Sequence, residues 1–223
     1  MKHVTRNELV DFLKRYYGDY EGFLARGKTI YRPLICPFDR LLNLLPEKQR
    51  VLDIGCGTGV FLQLIAHYRS PSTLGGLETD QRAIEAARKI FRSGQDSVPA
   101  RLEVYDGVTL PDWIGEYDYV FLVDVLHHIP RERQRQTLLA LFEKLKPGAR
   151  LVIKDIDAGE RFWCLFNKLH DLLLAGQYPC EQAASDLMAH LSQVGFAVKD
   201  LTKERIYVYP HFTIISEKQC ETA

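Results

Sequence analysis

The sequence predicts an α/β fold: a doubly wound, mostly parallel sheet, closed by an antiparallel C-terminal hairpin and preceded by a helical N-terminal cap. Three observations carry this. Between Arg50 and Lys154, short apolar runs alternate with helix-length amphipathic segments, the pattern of successive βαβ units. The string Val51-Leu52-Asp53-Ile54-Gly55-Cys56-Gly57-Thr58-Gly59 sets a buried strand directly against a glycine turn and a helix. The tail, 197–202 and 211–217, reads as a hairpin that adds an antiparallel edge.

Each element follows from local pattern. From Thr5 to Tyr17, Leu9, Val10, Phe12, Leu13 and Tyr16 recur at helical spacing. The stretch 16–23 is rich in aromatics and glycine, and the second half of 30–42 looks helical before Pro46 breaks the chain. The first strand is 51–54, and a helix runs from Thr58, its expected cap, to about His67. The second strand is 73–78. Asp80 caps a helix over 81–91 that Gly94 stops. Strands are expected at 100–105 and 117–123, then a helix from Pro130 to about Lys146, ended by Pro147-Gly148, and a strand at 150–154. Two long helical stretches follow, 161–175 and 180–194, the second stopped by Gly195. The expected division is one domain over 1–223, with a cap (1–45), a ligand-binding core (46–155), a helical lid insertion (156–195) and the hairpin (196–223).

Composition narrows the class. The 223 residues are 46% hydrophobic and 26% charged, enough for a real core. Lys+Arg and Asp+Glu are both 29, so no general electrostatic attraction to nucleic acid is expected. The five cysteines (Cys36, Cys56, Cys164, Cys180, Cys220) are scattered, which argues against disulfides and against a zinc site. No carboxylate cluster has metal-ligand spacing, and no metal is expected. The first residues show no apolar leader and no run approaches membrane-spanning length. A reducing cytoplasm is the expected compartment. Oligomeric state is left open.

The glycine turn carries the chemistry. Residues without a Cβ adopt positive φ and let a ligand approach the backbone. The helix N-terminus behind them offers unpaired N–H groups and partial positive charge, which suit a carboxylate, while Asp53 suits an ammonium. The spacing G-x-G-x-G differs from the G-x-G-x-x-G of dinucleotide sites. The nine-residue string resembles motif I of the class I S-adenosylmethionine-dependent methyltransferases. That resemblance covers about 45–155 and implies a Rossmann-like sheet with S-adenosylmethionine as cofactor and S-adenosylhomocysteine as product. It places Asp53, Gly55, Cys56, Gly57, Thr58 and Gly59 at the amino-acid end of the cofactor.

Further site residues are expected at strand C-termini, where doubly wound sheets bind ligands. Glu78 and Asp80 compete for the ribose hydroxyls; the family's G-x-D pattern matches Gly76-Leu77-Glu78 and so favours Glu78, with Thr79 beside it. Asp106 and Gly107 match the adenine position, although the usual Gly-Asp is Tyr105-Asp106 here, and Asp106 before Gly also reads as an ordinary turn. Val108 is a candidate for the adenine wall. Val123 and Asp124 lead into Val125-Leu126-His127-His128-Ile129-Pro130, which resembles the small-molecule variant of this loop and lacks the Asn/Asp-Pro-Pro-Tyr/Phe signature of base-amino methyltransferases.

His127 and His128 are the candidate general bases, with His128 preferred, because imidazole titrates near neutral pH; packing or ordering of the loop is the alternative. Arg32 is a candidate partner for the methionyl carboxylate, since guanidinium grips carboxylates bidentately; a surface Arg before proline reads equally well. Tyr16, Tyr17, Tyr20 and Tyr31 are expected to form a flap. Asp155, Asp157, Asn167, His170 and Asp171 are candidates to meet a polar acceptor, with Trp163 and Phe166 as an apolar wall. The resulting expectation is methyl transfer to a small organic acceptor, at oxygen, without nucleic-acid or membrane partners. The alternatives are a protein or RNA methyltransferase and a non-catalytic cofactor-binding scaffold of the same fold.

Overall fold

The computed structural model describes residues 3–17, 23–93, 98–159, 180 and 182–219. The chain forms a seven-stranded sheet in the order β3-β2-β1-β4-β5-β7-β6. Its strands are β1 (Arg50–Ile54), β2 (Thr73–Glu78), β3 (Ala100–Val104), β4 (Tyr119–Val123), β5 (Arg150–Ile156), β6 (Phe196–Ile206) and β7 (Tyr209–Lys218). The first five pair in parallel; β7 runs antiparallel to β5 and to β6. The order reverses between β1 and β4, so the crevice of a doubly wound sheet opens beyond Ile54 and Val123.

The side-chain period of two splits the core between the faces. Val51, Phe121, Val123 and Val152 pack toward the N-terminal helices α1 (Arg6–Tyr17), α2 (Phe23–Tyr31) and α3 (Phe38–Leu44), and toward α4 (Val60–Arg69) and α5 (Gln81–Ser93). Leu52, Ile54, Leu122, Leu151 and Ile153 pack on the other face with α6 (Arg131–Lys144) and α7 (Ala184–Val194).

Local chemistry sets the helix starts. Thr5 and Glu8 form a capping box: the Glu8 carboxylate accepts from the Thr5 N–H at 2.9 Å, and the Glu8 N–H points back at the Thr5 hydroxyl at 3.5 Å. Asp80 accepts from the Arg82 N–H at 2.8 Å, as an N-cap should. Thr58 does not cap α4. Gly59 holds that position with φ 79°, no side chain caps the helix, and its first residue is Val60.

The other differences have physical causes. The sequence showed no helix over 23–31, because that nine-residue helix contains Gly27 and Gly is a poor helix former. β5 continues to Ile156 because β7 pairs with it as far as His211. α7 starts at Ala184 rather than Cys180. The Cys180 N–H is bonded instead to the His127 carbonyl at 2.7 Å, and the Ala184 N–H donates to the Asp157 carboxylate at 3.2 Å. Ala184, Leu187 and Leu191 of α7 are buried in the core, although the sequence placed this segment in the lid insertion. The helix expected over 161–175, with Trp163, Phe166, Asn167, His170 and Asp171, lies outside the described residues, as do Tyr20 and Gly94. Among the described residues no helix is long and apolar enough to cross a membrane.

The N-terminal helices are fastened to the core by Arg69 at the end of α4. Its side chain is fully buried, with Nε on the Leu42 carbonyl at 2.7 Å and Nη2 on the Asn43 side chain at 2.9 Å. Replacing Arg69 with Met keeps the aliphatic stem and removes both bonds, while the Leu42 carbonyl keeps the Leu45 N–H and the Asn43 side chain keeps the Val4 N–H. The substitution should cost about 1–3 kcal/mol in denaturant unfolding; a loss within error would show that the cap is held by its apolar contacts alone.

Candidate active site

Beyond the carboxyl ends of β1 to β4 lies a cleft of about 710 Å³. That size suits a drug-sized ligand or a nucleoside cofactor. It is lined by Gly55 and Gly57 of the glycine turn, by Glu78 and Thr79 after β2, by Asp106, Gly107 and Val108 after β3, and by Val123, Asp124 and His128 after β4. Arg32 reaches it from the cap, and Arg133, Gln136, Thr137 and Ala140 form a wall on α6. The α6 wall carries no motif and was not read from the sequence; Arg133, Thr137 and Ala140 share one helical face, which is the signal available.

The turn is shaped by two glycines. Gly55 has φ 77°, and a Cβ there would fall 2.4 Å from Val125. Gly57 has φ 55° and nothing within 4 Å of where a Cβ would stand, so its bare backbone faces open cleft. The Gly57 N–H donates to Glu78 Oε2 at 2.8 Å, while Glu78 Oε1 accepts from the Thr79 N–H at 2.7 Å. Glu78 is thereby fixed at the cleft edge; Asp80, its rival in the sequence, is spent on capping α5. Asp106 lines the cleft but also makes the Asx turn: Oδ1 accepts from Val108 N–H at 2.8 Å and Thr109 N–H at 2.6 Å. These bonds hold its carboxyl below the usual range.

Cys56, Gly59 and Asp53 stand behind the turn, and none of the three lines the cleft. Thr58, half-buried, does not line it either. Asp53 is 3% exposed and its Oδ1 has no hydrogen-bond partner. Burial, reinforced by Glu78 and opposed by Arg32, pushes its carboxyl up to about 8. An orphaned acid at the foot of an uncapped helix and an open glycine backbone fits a ligand that carries both ammonium and carboxylate.

The loop after β4 is the most constrained part of the site. Asp124 sits in the left-handed region, φ 57°, and its carboxylate is bonded to the Lys154 ammonium and, at 3.4 Å, to Arg32. Lys154 is 1% exposed. Burial would favour the neutral form of each partner, yet the mutual attraction wins: Lys154 is raised, and Asp124 is held far below the carboxylate range. Cys36 lies against the same ammonium, and burial pushes its thiol up to about 12. His211, also on this face, is lowered to about 3 by burial and by Lys154, and its Nε2 donates to the Ile35 carbonyl at 2.9 Å.

The two histidines separate. His128 is exposed and lines the cleft. His127 is 5% exposed, faces away, and its Nδ1 lies 2.5 Å from Asp155 Oδ1. Asp155 and Asp157 are likewise buried, Asp157 paired with Lys203 at 2.7 Å, so neither reaches the cleft. Of the tyrosines expected as a flap, Tyr17 is buried in the core, Tyr16 packs on Phe12 and Tyr31 is exposed; none lines the cleft. Among the described residues no group of three His, Cys, Asp or Glu side chains is placed to hold a metal ion.

A family model described as a methyltransferase domain matches residues 28–201. The chain is 30% identical over 159 residues to the O-methyltransferase rstn1 of Aspergillus nomiae, covering 70% of this chain and 68% of that protein. It is 27% identical over 178 residues to the O-methyltransferase cnsE of Penicillium expansum, where 77% of this chain spans only 60% of the relative. The fold is shared with a magnesium protoporphyrin IX methyltransferase from Synechocystis, solved with bound SAH, at TM-score 0.69 and 19% identity over 94% of each chain.

Two outcomes follow from the electrostatics. Asp53 keeps its proton in the folded chain up to about pH 8. Its unfolded form ionises near pH 4. Its contribution to stability is therefore complete in acid and is lost as pH rises toward and through 8. Asp53→Asn cannot ionise, so its melting temperature relative to the unmodified chain should rise between pH 5 and pH 9; a gap that stays constant would mean Asp53 is already charged at pH 5. Lys154→Met leaves the partly buried Asp124 carboxylate with Arg32 alone and should cost about 2–4 kcal/mol, whereas Lys154→Met with Asp124→Asn should cost clearly less than the sum of the two. Strict additivity in thermal unfolding would show that the two side chains do not interact.

Proposed function

The chain belongs to the methyltransferase domain family, and from that premise we propose that it moves a methyl group from S-adenosylmethionine to an oxygen of a small organic acceptor, leaving S-adenosylhomocysteine. The observation that supports this is the cleft, lined by the open backbone of Gly55 and Gly57 and by the fixed Glu78 carboxylate, with the orphaned acid Asp53 buried behind the turn. Asp53 would meet the ammonium and Arg32 the carboxylate of the methionyl end. Gly55 and Gly57 would give it a bare backbone to lie on, with Cys56, Thr58 and Gly59 completing the turn behind them. Glu78, with Thr79, would take the ribose hydroxyls, and Asp106 and Gly107 the adenine. Val123 and Asp124 would border the sulfonium. The cofactor, when bound, supplies an electrophilic methyl.

What remains for the protein is alignment and proton removal. Orientation of two bound reactants is worth about 7–11 kcal/mol. A hydroxyl acceptor must also lose a proton, and His128 is the group in the cleft suited to take it. Asp124 is held as a carboxylate too far below neutral to be an effective base. His127 is committed to Asp155 and serves the loop rather than the acceptor. The similarity to two O-methyltransferases, rstn1 and cnsE, supports oxygen as the accepting atom.

Calorimetric titration should give binding of S-adenosylmethionine and S-adenosylhomocysteine at about micromolar Kd, or roughly 8 kcal/mol, and Gly57→Val should abolish both. Retained tight binding by that variant would sink the site assignment. In a mass-spectrometric screen of phenols and carboxylic acids, a methyl ether or ester is the expected product. His128→Ala should slow transfer to a phenol by about 10²–10⁴-fold at unchanged S-adenosylhomocysteine affinity. Methylation at nitrogen or carbon would overturn the acceptor class.

A further inference from the structure

The reading above gives His128 a proton to take, and an exposed histidine on a short loop must be held still to do so. The loop 126–129 is one 3-10 turn, with His128 N–H on the Val125 carbonyl at 3.0 Å and Ile129 N–H on the Leu126 carbonyl at 2.9 Å. Such a turn is too short to fix its own orientation. Two buried side chains grip it from outside. Asp155 of β5 accepts from the His127 backbone N–H at 3.1 Å and meets the His127 ring at 2.5 Å. Gln134 of α6, 1% exposed, directs its Nε2 at three carbonyls, those of Leu126, Ile129 and Cys180, each at 2.9 Å. An amide nitrogen has two hydrogens, so one is shared, and every polar contact of this side chain runs through that nitrogen. The Cys180 N–H in turn bonds the His127 carbonyl at 2.7 Å. The turn is therefore held at its start, middle and end by groups from β5, from α6 and from the chain that leads into α7.

We propose that Gln134 and Asp155 are positioning residues for His128: they hold the His127–His128 turn so that one imidazole is buried as an anchor and the other faces the acceptor. The proposal rests on the reading of His128 as base. Neither residue lines the cleft, so neither touches cofactor or acceptor. Their effect on transfer passes through the turn.

The test is Gln134→Met, which keeps length and volume and removes the amide, with Asp155→Asn as an independent variant should the first fold poorly. Binding of S-adenosylhomocysteine serves as the check on folding. Expected are unchanged affinity, turnover lowered about 10–100-fold, and a displaced or broadened His128 ring resonance in histidine-labelled protein. Added to His128→Ala, the same substitution should lower turnover no further, because it acts through the missing ring. An unmoved His128 resonance, or losses that multiply in the double variant, would overturn the proposal. Should His128→Ala itself retain full turnover, the base reading fails, and the ring resonance alone decides whether Gln134 positions His128.

Discussion

The site is organised by one pair of neighbours on β5, Lys154 and Asp155. Consecutive strand residues face opposite sides of the sheet, so this pair delivers a cation beneath the cap and an anion beneath α6 and α7. Lys154 takes Asp124 and Asp155 takes His127, and the loop after β4 is held from both faces at once. Asp124 sits in left-handed backbone, a conformation that costs about 1–3 kcal/mol and persists only where surrounding contacts over-determine it. The buried ion pair is that over-determination. The same strain turns the chain sharply at the end of β4, which is what brings His128 around to the cleft.

Burial also decides which groups under the cap carry charge. Asp53 on β1, Lys154 on β5 and His211 on β7 all face the cap side, with Arg32 and Cys36 descending from above. The structure keeps few of these ionised. Asp53 holds its proton to about pH 8, His211 stays neutral down to about 3, and Cys36 stays a thiol to about 12. The charges that remain are Arg32, Lys154 and Asp124, two cations to one anion. Arg32 and Lys154 share the one carboxylate of Asp124, and of the three Arg32 and Asp124 reach the cleft.

The sequence made the local parts of the site legible and hid those that depend on contacts made across the fold. Gly55, Gly57, Glu78 and Asp106 sit at strand ends, where a few residues of pattern determine geometry, and these four line the cleft, while Cys56, Thr58 and Gly59 stand behind it. Asp106 also shows why a motif underdetermines a role, since its oxygens make the very turn that the bland reading proposed. Thr58 was misread as a cap because side-chain chemistry suggested it, while the left-handed backbone of Gly59 took the position. The sequence preferred His128 over His127, and His128 does line the cleft, but what turns His127 away is not local: it is Asp155, twenty-eight residues further on. Lys154 stood out in the apolar run Leu151-Val152-Ile153, but its partner Asp124 is thirty residues away. Gln134 gave no sign, because a glutamine in a polar helix looks like surface until its three carbonyl partners are known.

Methyl transfer rewards this kind of construction. An in-line displacement asks little of a protein beyond geometry, and geometry is what the loop after β4 and the glycine turn are built to hold. Glu78 illustrates the principle at the other end of the cleft: both its oxygens are already engaged by backbone N–H groups, so its rotamer is fixed before any ligand arrives. A ligand hydroxyl then needs only the remaining lone pairs, and the entropy of ordering a long carboxylate side chain has been met during folding. Asp124, Glu78 and the His127–His128 turn share this property. Lys154, Asp155 and Gln134 hold Asp124 and the turn from outside the cleft, and Glu78 is held by the cleft's own backbone at Gly57 and Thr79. Among the described residues, the open side of this rigid floor is met by Arg32 of the cap and by Arg133, Gln136, Thr137 and Ala140 of α6.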